Sequence, residues 1–309
     1  MRKKIHAIIL SSLFLSFILI LSMGAQQTAP SQIRHISPEL KQQVDKTDYS
    51  SVKIKNIPLA MQCWTFRKFT FFETLEKVKE LGIHYIQAYP GQLLDNKTPN
   101  ARFSHEMTLE QISEVKTKLK ETGLTLVAYG VCDIGVTEAS MRKVFDFAKA
   151  MGIKTIVTEP ANDDFTLLEQ IIREYNIGIA IHNHPAPSKY NLPETVYVHV
   201  KGKEKLIGSC ADNGHWMRGM NDPREAFKLL KGRILDVHLK DRSGFGTKDI
   251  EDVPWGQGKA MIRDLLAELT LQEYTGCLTI EYENEKEVGN PIPAILKSIE
   301  YWKSLVDKK

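Results

Sequence analysis

The chain has 309 residues, with 41 Lys and Arg against 38 Asp and Glu, and a formal net charge of +3. Arg2, Lys3 and Lys4 lie in the first 25 residues, so the remainder carries 38 basic and 38 acidic side chains. A chain with balanced charge has no general attraction for a phosphate backbone or an anionic membrane surface. The composition therefore argues against nucleic acid as a partner.

Residues 1–25 have the parts of a secretory signal peptide: a basic head, an apolar run and small residues at Ser22, Gly24 and Ala25. The apolar run, Ala7 to Leu21, is shorter than the roughly 20 residues that a membrane span needs. We expect cleavage and export to the periplasm, with no stable membrane anchor, rather than an uncleaved anchor.

The rest of the chain divides into a polar stretch, residues 26–55, and a long patterned region, residues 56–309. The first is typical of a linker or a loosely docked N-terminal arm, and the second is predicted to be one catalytic domain. A chain of this length can bury a large core without disulfides. We therefore predict buried free thiols for its four cysteines, Cys63, Cys132, Cys210 and Cys277, although export would permit disulfides.

From Pro58 onward, apolar runs alternate with amphipathic stretches. The predicted strands are Leu59–Cys63, His84–Ala88, Leu124–Val131, Lys154–Thr158, Ile177–Ile181, Leu206–Ala211, Ile234–Leu239 and Cys277–Tyr282. The predicted helices are Phe72–Leu81, Leu109–Thr122, Ala139–Met151, Phe165–Tyr175, Pro223–Leu230 and Met261–Leu269. Several helices are followed by glycine, which supplies a left-handed stop.

This alternation favours an α/β fold, a (β/α)8 TIM barrel, over an open doubly wound sheet. The weakest unit is residues 190–205, where Thr195–Val200 alternates like a strand although a helix is expected. The pattern there leaves a helix, a hairpin and an insertion open.

Reactive side chains of such a barrel sit at the C-terminal ends of its strands. Five consecutive predicted strands, the fourth to the eighth, end in histidines or carboxylates: Glu159, His182, His184, Asp212, His215, His238 and Glu281. One such residue is more often structural, but several buried carboxylates need a compensating positive charge. Mixed oxygen and imidazole donors suit Mn, Co, Ni or Zn. The sequence therefore predicts a divalent metal ion at the barrel mouth.

Glu159, Asp212, His238 and Glu281 come from four strands and are the first candidates for ligands. His182 and His184 are two residues apart and can face the same way. One of them is a candidate fifth ligand, His182 in our assignment, and His184 is then a candidate base.

Two further polar residues are predicted to act beside the ion. His215 follows Asp212 by three residues and suits a place next to the ion or the substrate. Lys240 shares the face of His238 and could steady an oxyanion or act as a base if its pKa is lowered. The structural alternative is an ion pair of Lys240 with Asp241 or Asp212.

Aromatic side chains close to the strand ends complete the predicted pocket. Trp64, Tyr89, Trp216 and Trp255 can pack on the apolar faces of sugar rings, although core packing is the alternative for each. The glycines of Trp255-Gly256-Gln257-Gly258 indicate a backbone conformation that lets another group approach closely. We add Asn183 and Gly258 to the predicted substrate-binding residues.

Residues 58–305 resemble the xylose isomerase-like barrel superfamily of sugar phosphate isomerases/epimerases, ketose 3-epimerases and endonuclease IV relatives. The motifs that carry the resemblance are Ala180-Ile181-His182-Asn183-His184, Ala211-Asp212-Asn213-Gly214-His215-Trp216, Val237-His238-Leu239-Lys240-Asp241, Pro254-Trp255-Gly256-Gln257-Gly258 and Thr279-Ile280-Glu281-Tyr282-Glu283.

In ketose 3-epimerases a Glu, Asp, His and Glu hold the ion. The resemblance places the last three at Asp212, His238 and Glu281. The first family glutamate lies on the strand that ends here with His182. Either His182 replaces it or Glu159 reaches in from the neighbouring strand, which puts the family's two-carboxylate proton shuttle in doubt.

Together with the signal peptide, these motifs resemble exported enzymes that act on 3-keto-glycosides. The resemblance implies a lyase that removes the proton next to the ketone and then cleaves the glycosidic bond by β-elimination. An epimerase that shares the first step is the alternative, and a non-catalytic periplasmic sugar-binding protein is the alternative of another class. The expected partner is a small carbohydrate; a nuclease is disfavoured, and monomer and homo-oligomer both remain open.

Overall fold

The computed structural model describes residues 32–41, 47–98 and 100–306. The predicted signal peptide lies outside these ranges, as does most of residues 26–46. Within them, no helix combines the length and the hydrophobicity needed to cross a bilayer. All four cysteines are free, and all are buried except Cys277, which is half-buried.

Eight parallel strands close into a barrel in the order β1-β10-β7-β6-β5-β4-β3-β2. These strands are β1 (Leu59–Gln62), β2 (Tyr85–Ala88), β3 (Thr125–Tyr129), β4 (Thr155–Thr158), β5 (Gly178–Ile181), β6 (Ile207–Asp212), β7 (Ile234–Leu239) and β10 (Leu278–Ile280). Two short strands, β8 (Asp241–Arg242) and β9 (Asp252–Val253), form an antiparallel ribbon after β7. The predicted barrel and its eight strands are confirmed.

The helices cover the outside of the barrel. They are α1 (Pro38–Lys41), α2 (Phe71–Glu80), α3 (Leu109–Thr122), α4 (Glu138–Met151), α5 (Thr166–Tyr175), α6 (Pro193–Val200), α7 (Asn213–Arg218), α8 (Pro223–Leu229), α9 (Ile262–Leu271) and α10 (Ile292–Leu305). A 3-10 turn, Cys63–Phe66, follows β1. The short α1 and α7, the terminal α10 and this turn were not predicted.

Helix α6 settles the ambiguous segment after β5. Its buried residues are Pro193, Val196 and Val200, three and four residues apart, which is the spacing of one helical face. Pro193 stands in the first turn, where its missing N–H costs nothing. The apparent strand alternation arose because Val198, on the outer face, is also apolar and is 68% exposed.

Local signals explain where the other helices begin and end. Thr70, Thr108 and Thr137 are N-caps whose side chains accept a hydrogen bond from the third helical residue. Gly123 and Gly152 end α3 and α4 in the left-handed conformation, as their positions predicted. These boundaries set the short loops that connect the helices to the barrel.

The Trp-Gly-Gln-Gly loop is shaped around a carboxylate of the protein itself. Asp241 accepts hydrogen bonds from the backbone N–H groups of Gly256, Gly258 and Ala260 at 2.8, 2.9 and 3.0 Å. A Cβ at Gly258 would lie 2.2 Å from Asp241 Oδ1, so only glycine allows this approach. Trp255 is 3% exposed, and its Nε1 donates to the Leu239 carbonyl.

These contacts correct the assignment of Trp255 and Gly258 to substrate binding. Both residues support the ribbon behind the barrel mouth instead of lining the cavity. The glycine signal was a sound indication of a constrained backbone, but the constraint comes from Asp241. Sequence alone could not distinguish an internal carboxylate from a ligand.

We predict that Asp241→Asn lowers the free energy of unfolding by about 2–3 kcal/mol, because hydrogen bonds to a charged, buried acceptor are lost or weakened. Urea unfolding followed by circular dichroism measures the change. Asp249→Asn, an exposed position in the same ribbon loop, is the matched control. Equal effects of the two substitutions would contradict the role of Asp241.

Candidate metal centre

A cavity of about 440 Å³ opens at the C-terminal ends of the barrel strands. Strand register brings the polar residues together there, since Asp212 pairs with His238 across β6 and β7. The cavity is lined by Gln62, Trp64, Tyr89, Pro90, Gly130, Val131, His182, His184, Pro185, His215, Arg218, His238, Glu281 and Glu283. Its floor is polar and charged, and its rim includes aromatic and apolar residues.

Glu159 stands behind two histidines. Its Oε1 lies 3.2 Å from His182 Nδ1 and 2.6 Å from His184 Nδ1, and it also accepts from the His184 backbone N–H at 2.9 Å. Ser188 donates to Oε2 at 2.7 Å. Burial alone would raise the pKa of Glu159, but the hydrogen bonds from His182 and His184 outweigh it and lower that pKa. The group is therefore a carboxylate that only accepts hydrogen bonds.

The position of Glu159 decides the tautomers of both rings. Because a carboxylate accepts only, Nδ1 of His182 and of His184 carries the proton. His182 Nε2 faces Asp212 Oδ2, 3.5 Å away. Burial would lower the pKa of His182, but the hydrogen bonds to Asp212 and Glu159 outweigh it and raise that pKa. A cation bound there would take the place of the proton on Nε2. The structure thus places His182 at the cluster, with Glu159 on the far side of its ring.

A glutamine sets the tautomer of His238 in the same way. Gln87 Nε2 donates to Asp236 at 2.7 and 2.8 Å and to Thr279 Oγ1 at 2.6 Å, so its Oε1 faces His238. The oxygen lies 2.9 Å from His238 Nε2, which therefore carries the proton. His238 Nδ1 is buried and makes no hydrogen bond in the described part of the chain, and Glu281 Oε2 lies 3.1 Å from it.

Asp212 divides its two oxygens between the fold and the cluster. It is the last residue of β6 and the N-cap of α7, where Oδ1 accepts from the His215 backbone N–H at 2.8 Å. Its Oδ2 faces three imidazoles, at 3.5 Å from His182 Nε2, 3.5 Å from His215 Nε2 and 3.7 Å from His238 Nδ1. Burial would raise the pKa of Asp212, but His215 and Lys240 outweigh it and hold that pKa well below its usual value.

Lys240 forms the structural ion pair that was one of its two predicted roles. Its fully buried ammonium contacts Asp212 Oδ2 and lies 2.5 Å from Glu281 Oε2. Burial would lower the pKa of Lys240, but the two carboxylates outweigh it and raise that pKa. The side chain is therefore a fixed positive charge and not a base. A Cβ at Gly214 would lie 2.6 Å from Lys240 Cδ, so this glycine makes room for the lysine stem.

Four donor atoms that suit a divalent cation face this part of the cavity: His182 Nε2, Asp212 Oδ2, His238 Nδ1 and Glu281 Oε2. Donor atoms of His182, Asp212 and His238 lie within 4.8 Å of one another, and the Lys240 ammonium contacts the two carboxylate oxygens. His238 Nδ1 is 3.1 Å from Glu281 Oε2, and the other neighbouring distances given above are 3.5 and 3.7 Å. Atoms that each bind one ion at about 2.0–2.2 Å lie about 3–4 Å from one another. The buried His238 Nδ1, which makes no hydrogen bond within the described residues, lies beside two carboxylates and fits such an ion, and the donor set suits Mn, Co, Ni or Zn.

His215 has the opposite tautomer and a different role. The Arg218 guanidinium, which always carries its protons, donates to His215 Nδ1 at 3.1 Å. Burial lowers the pKa of His215 well below its usual value, against the attraction of Asp212. The neutral ring therefore carries its proton on Nε2 and presents an N–H donor instead of a metal-binding lone pair. Glu283 anchors Arg218 with a 2.7 Å ion pair.

Two asparagines that follow barrel strands hydrogen-bond to the backbone at the end of the neighbouring strand. Asn183 exchanges two hydrogen bonds of 2.9 Å with the backbone of Asp212, and Asn213 exchanges bonds of 2.7 and 2.9 Å with the backbone of Lys240. Asn183 is fully buried, which corrects its assignment as a substrate-binding residue. Each amide therefore fixes the backbone of a site residue at the end of the neighbouring strand, Asp212 or Lys240.

The aromatic residues divide between cavity and core. Trp64 and Tyr89 line the cavity, with Trp64 39% exposed. Trp216 is fully buried and packs against Phe227, so its assignment to substrate binding is corrected. Helix α7 begins directly after Asp212 and places Trp216 on the face that packs against the core, away from the cavity.

Three residues that shape the site were not predicted. Glu283 lies two residues after Glu281, and this same-face spacing was a usable signal. Gln87 is a polar residue inside the apolar run of β2, which was also a signal. Arg218 had none, because its place at the cavity depends on the unpredicted helix α7.

Comparisons with known proteins agree with this architecture. The family model of the xylose isomerase-like TIM barrel matches residues 75–305. An inosose dehydratase of Mesomycoplasma hyopneumoniae is 22% identical over 279 residues, which cover 77% of this chain and 89% of that protein.

Two solved structures are also similar. That of an uncharacterised protein from Parabacteroides distasonis has a TM-score of 0.64 and 30% identity, over 80% of this chain and 98% of that one. That of the IolI protein, which was solved with a bound zinc atom, has a TM-score of 0.62 and 18% identity, over 81% of this chain and 98% of that one. The second similarity concerns the fold alone.

We predict that His182→Ala removes bound zinc, whereas Glu159→Gln weakens zinc affinity by only about 10–100-fold, as expected for a group that orients a ligand. Metal content after dialysis and calorimetric titration measure the two effects. His84→Ala, at an exposed histidine immediately before β2, is the matched control. Loss of zinc from Glu159→Gln with retention in His182→Ala would reverse the assignment.

Proposed function

The chain belongs to the xylose isomerase-like TIM barrel family, and on that premise we propose that it is a metal-dependent sugar enzyme that removes a proton next to a ketone. More specifically, we propose a 3-keto-glycoside lyase. The observation that carries this proposal is the His184–Glu159 pair beside the four donor atoms. An oriented imidazole next to a candidate Lewis-acid site is the arrangement that α-proton removal requires.

His184 suits the role of base for three reasons. Glu159 holds its Nδ1–H at 2.6 Å, so Nε2 is the basic nitrogen. The side chain lines the cavity and is about half exposed, which leaves it open to a substrate. Its carboxylate partner also stabilises the imidazolium that forms when the ring takes a proton.

The reaction would proceed as an elimination. His184 takes the proton from C2 of the sugar, and the electron pair of that C–H bond moves toward the C3 ketone. The pair then forms a C1–C2 double bond as the C1–oxygen bond breaks. The departing oxygen takes the proton that His184 removed from C2 and leaves as an alcohol, which returns His184 to the neutral form. The sugar becomes a 2-hydroxy-3-keto-glycal.

His182, Asp212, His238 and Glu281 would hold the ion. A divalent ion there supplies a Lewis acid that polarises the ketone and an adjacent hydroxyl. His215 would direct its Nε2–H at a substrate oxygen, because Arg218 occupies its other nitrogen. Lys240 would hold the two carboxylates in place as a fixed positive charge.

The proposed site has one oriented base, His184, and this favours elimination over epimerisation. Epimerisation needs a group on the second face of the sugar to return the proton, which the two-carboxylate shuttle of ketose 3-epimerases provides. In the ligand set proposed here, His182 takes the place of one of those carboxylates. The relative named as an inosose dehydratase adds support, because a dehydratase eliminates water, and loss of an alcohol is the same reaction with a larger leaving group.

The sharpest test gives the zinc- or manganese-loaded protein a 3-keto-glucoside in deuterated water, followed by NMR. We expect release of the alcohol together with a 2-hydroxy-3-keto-glucal. Deuterium at the α-carbon of an intact glycoside would instead support the epimerase. Saturable binding without exchange or product would support the sugar-binding protein.

We further predict that His184→Gln lowers kcat by about 10²–10⁴-fold, because it removes the base and leaves the four donor atoms in place. Metal content should stay at the level of the unchanged protein. His84→Gln is the control with the same chemical change at an exposed site. A drop in metal content that accounts for the lost rate would contradict this role.

Export is part of the proposal, since it would place the enzyme where glycosides from outside the cell arrive. The basic and apolar segment of residues 1–25 supports it. We expect the protein in the periplasmic fraction, with the intact mass of a chain that begins at Gln26. Recovery of the full-length chain from the membrane fraction would instead support an uncleaved anchor.

A further inference from the structure

The rim of the cavity carries a surface that the chemistry proposed above does not use. Trp64, Tyr89, Pro90 and Val131 line it, beyond the histidines and carboxylates of the floor. Trp64 is among the few large hydrophobic residues of the described chain that are substantially exposed, at 39%. An exposed tryptophan at the mouth of a polar cavity raises the question of what covers it.

Trp64 is held rigidly although it is exposed. Its backbone N–H donates to Gln62 Oε1 at 3.3 Å, and its indole Nε1–H donates to Glu283 Oε1 at 3.0 Å. The Tyr89 ring packs against it edge-on with centroids 5.0 Å apart. The Arg67 guanidinium lies 5.4 Å from the Trp64 ring centroid.

Such an arrangement differs from incidental exposure. A loose surface tryptophan loses conformational entropy when a ligand orders it, whereas one already fixed by its neighbours does not. Arg67 donates to the Trp64 carbonyl at 3.2 Å and pairs with Glu285 at 2.6 Å. The Trp64–Tyr89 surface is thus organised before any ligand arrives.

Glu283 links this surface to the reactive floor. One of its oxygens accepts from Trp64, and the other pairs with Arg218, which in turn donates to His215. The cavity therefore has a charged inner half and an apolar, aromatic outer half in fixed relation. A ligand that matches it has a polar ring at one end and an apolar group at the other.

We propose that the Trp64–Tyr89 surface is the subsite for the leaving group, and that this group is an aromatic alcohol. The proposal rests on the elimination reaction proposed above, in which the bond to the leaving group breaks. Apolar walls from Pro90 and Val131 and two aromatic rings favour a planar apolar group over a second sugar, whose hydroxyls need more polar partners.

The test compares two 3-keto-glucosides whose alcohols differ little in acidity, methyl and 2-phenylethyl. The unchanged protein should have the lower KM for the phenylethyl substrate, and Trp64→Ala should reduce that preference about tenfold. Trp64→Phe keeps a ring but loses the indole N–H, so it should restore most of the preference. Val198→Ala, at an exposed apolar site on α6, is the control.

Binding measured without turnover tests the Trp64–Tyr89 surface separately from the lyase reaction. The ordinary 2-phenylethyl glucoside lacks the ketone, and its binding can be followed by saturation-transfer NMR. Trp64-dependent binding without any cleavage of the keto-substrates would contradict the lyase and would leave Trp64 as a binding site for the apolar group of a glucoside.

Three results would overturn the subsite. The first is cleavage of both substrates with equal KM values that Trp64→Ala leaves equal. The second is an equal loss on both substrates, which would indicate a structural role of Trp64 through Glu283. The third is a stronger dependence on Trp64 for a 3-keto-disaccharide, which would replace the aromatic group with a sugar.

Discussion

The rest of the site depends on the way the Asp212 carboxylate divides its two oxygens. Oδ1 begins helix α7 by accepting from the His215 N–H, and Oδ2 faces the imidazoles of the cluster. One side chain thus fixes both the helix that carries His215 and the point on which the candidate ligands converge. Asn183 holds the Asp212 backbone from the preceding strand, so the carboxylate has little freedom to move.

Hydrogen-bond partners behind the rings decide what each histidine can do. Glu159 and Gln87 each accept a hydrogen bond from the far side of a ring, so the other nitrogens, His182 Nε2 and His238 Nδ1, face the cluster. The positive charge of Arg218 does the reverse and leaves His215 with an inward N–H. Residues of one type at neighbouring strand ends are thereby separated into ligands and a donor.

Strand positions were predictable because parallel barrel strands are apolar on both faces and are separated by clear helix stops such as Gly123 and Gly152. The residues at the strand ends followed from the same pattern. Contacts between distant residues were not predictable: the sequence cannot show that Asp241 fills the glycine-rich loop. Trp216 illustrates the same limit, since a short helix that begins at a strand end turned its ring into the core.

In the proposed ligand set, His182 takes the place of a carboxylate of the ketose 3-epimerases, which changes the charge of the candidate site. Two carboxylates, Asp212 and Glu281, remain among the four donors, and Lys240 offsets part of their charge. A dication bound by fewer anionic ligands keeps more of its positive charge, and so acidifies a neighbouring C–H more strongly. The same replacement leaves one oriented base, His184, on the cavity wall. A more acidic C–H and a single base suit an elimination. Elimination ends with the loss of the leaving group, so no second group has to return a proton to the carbon.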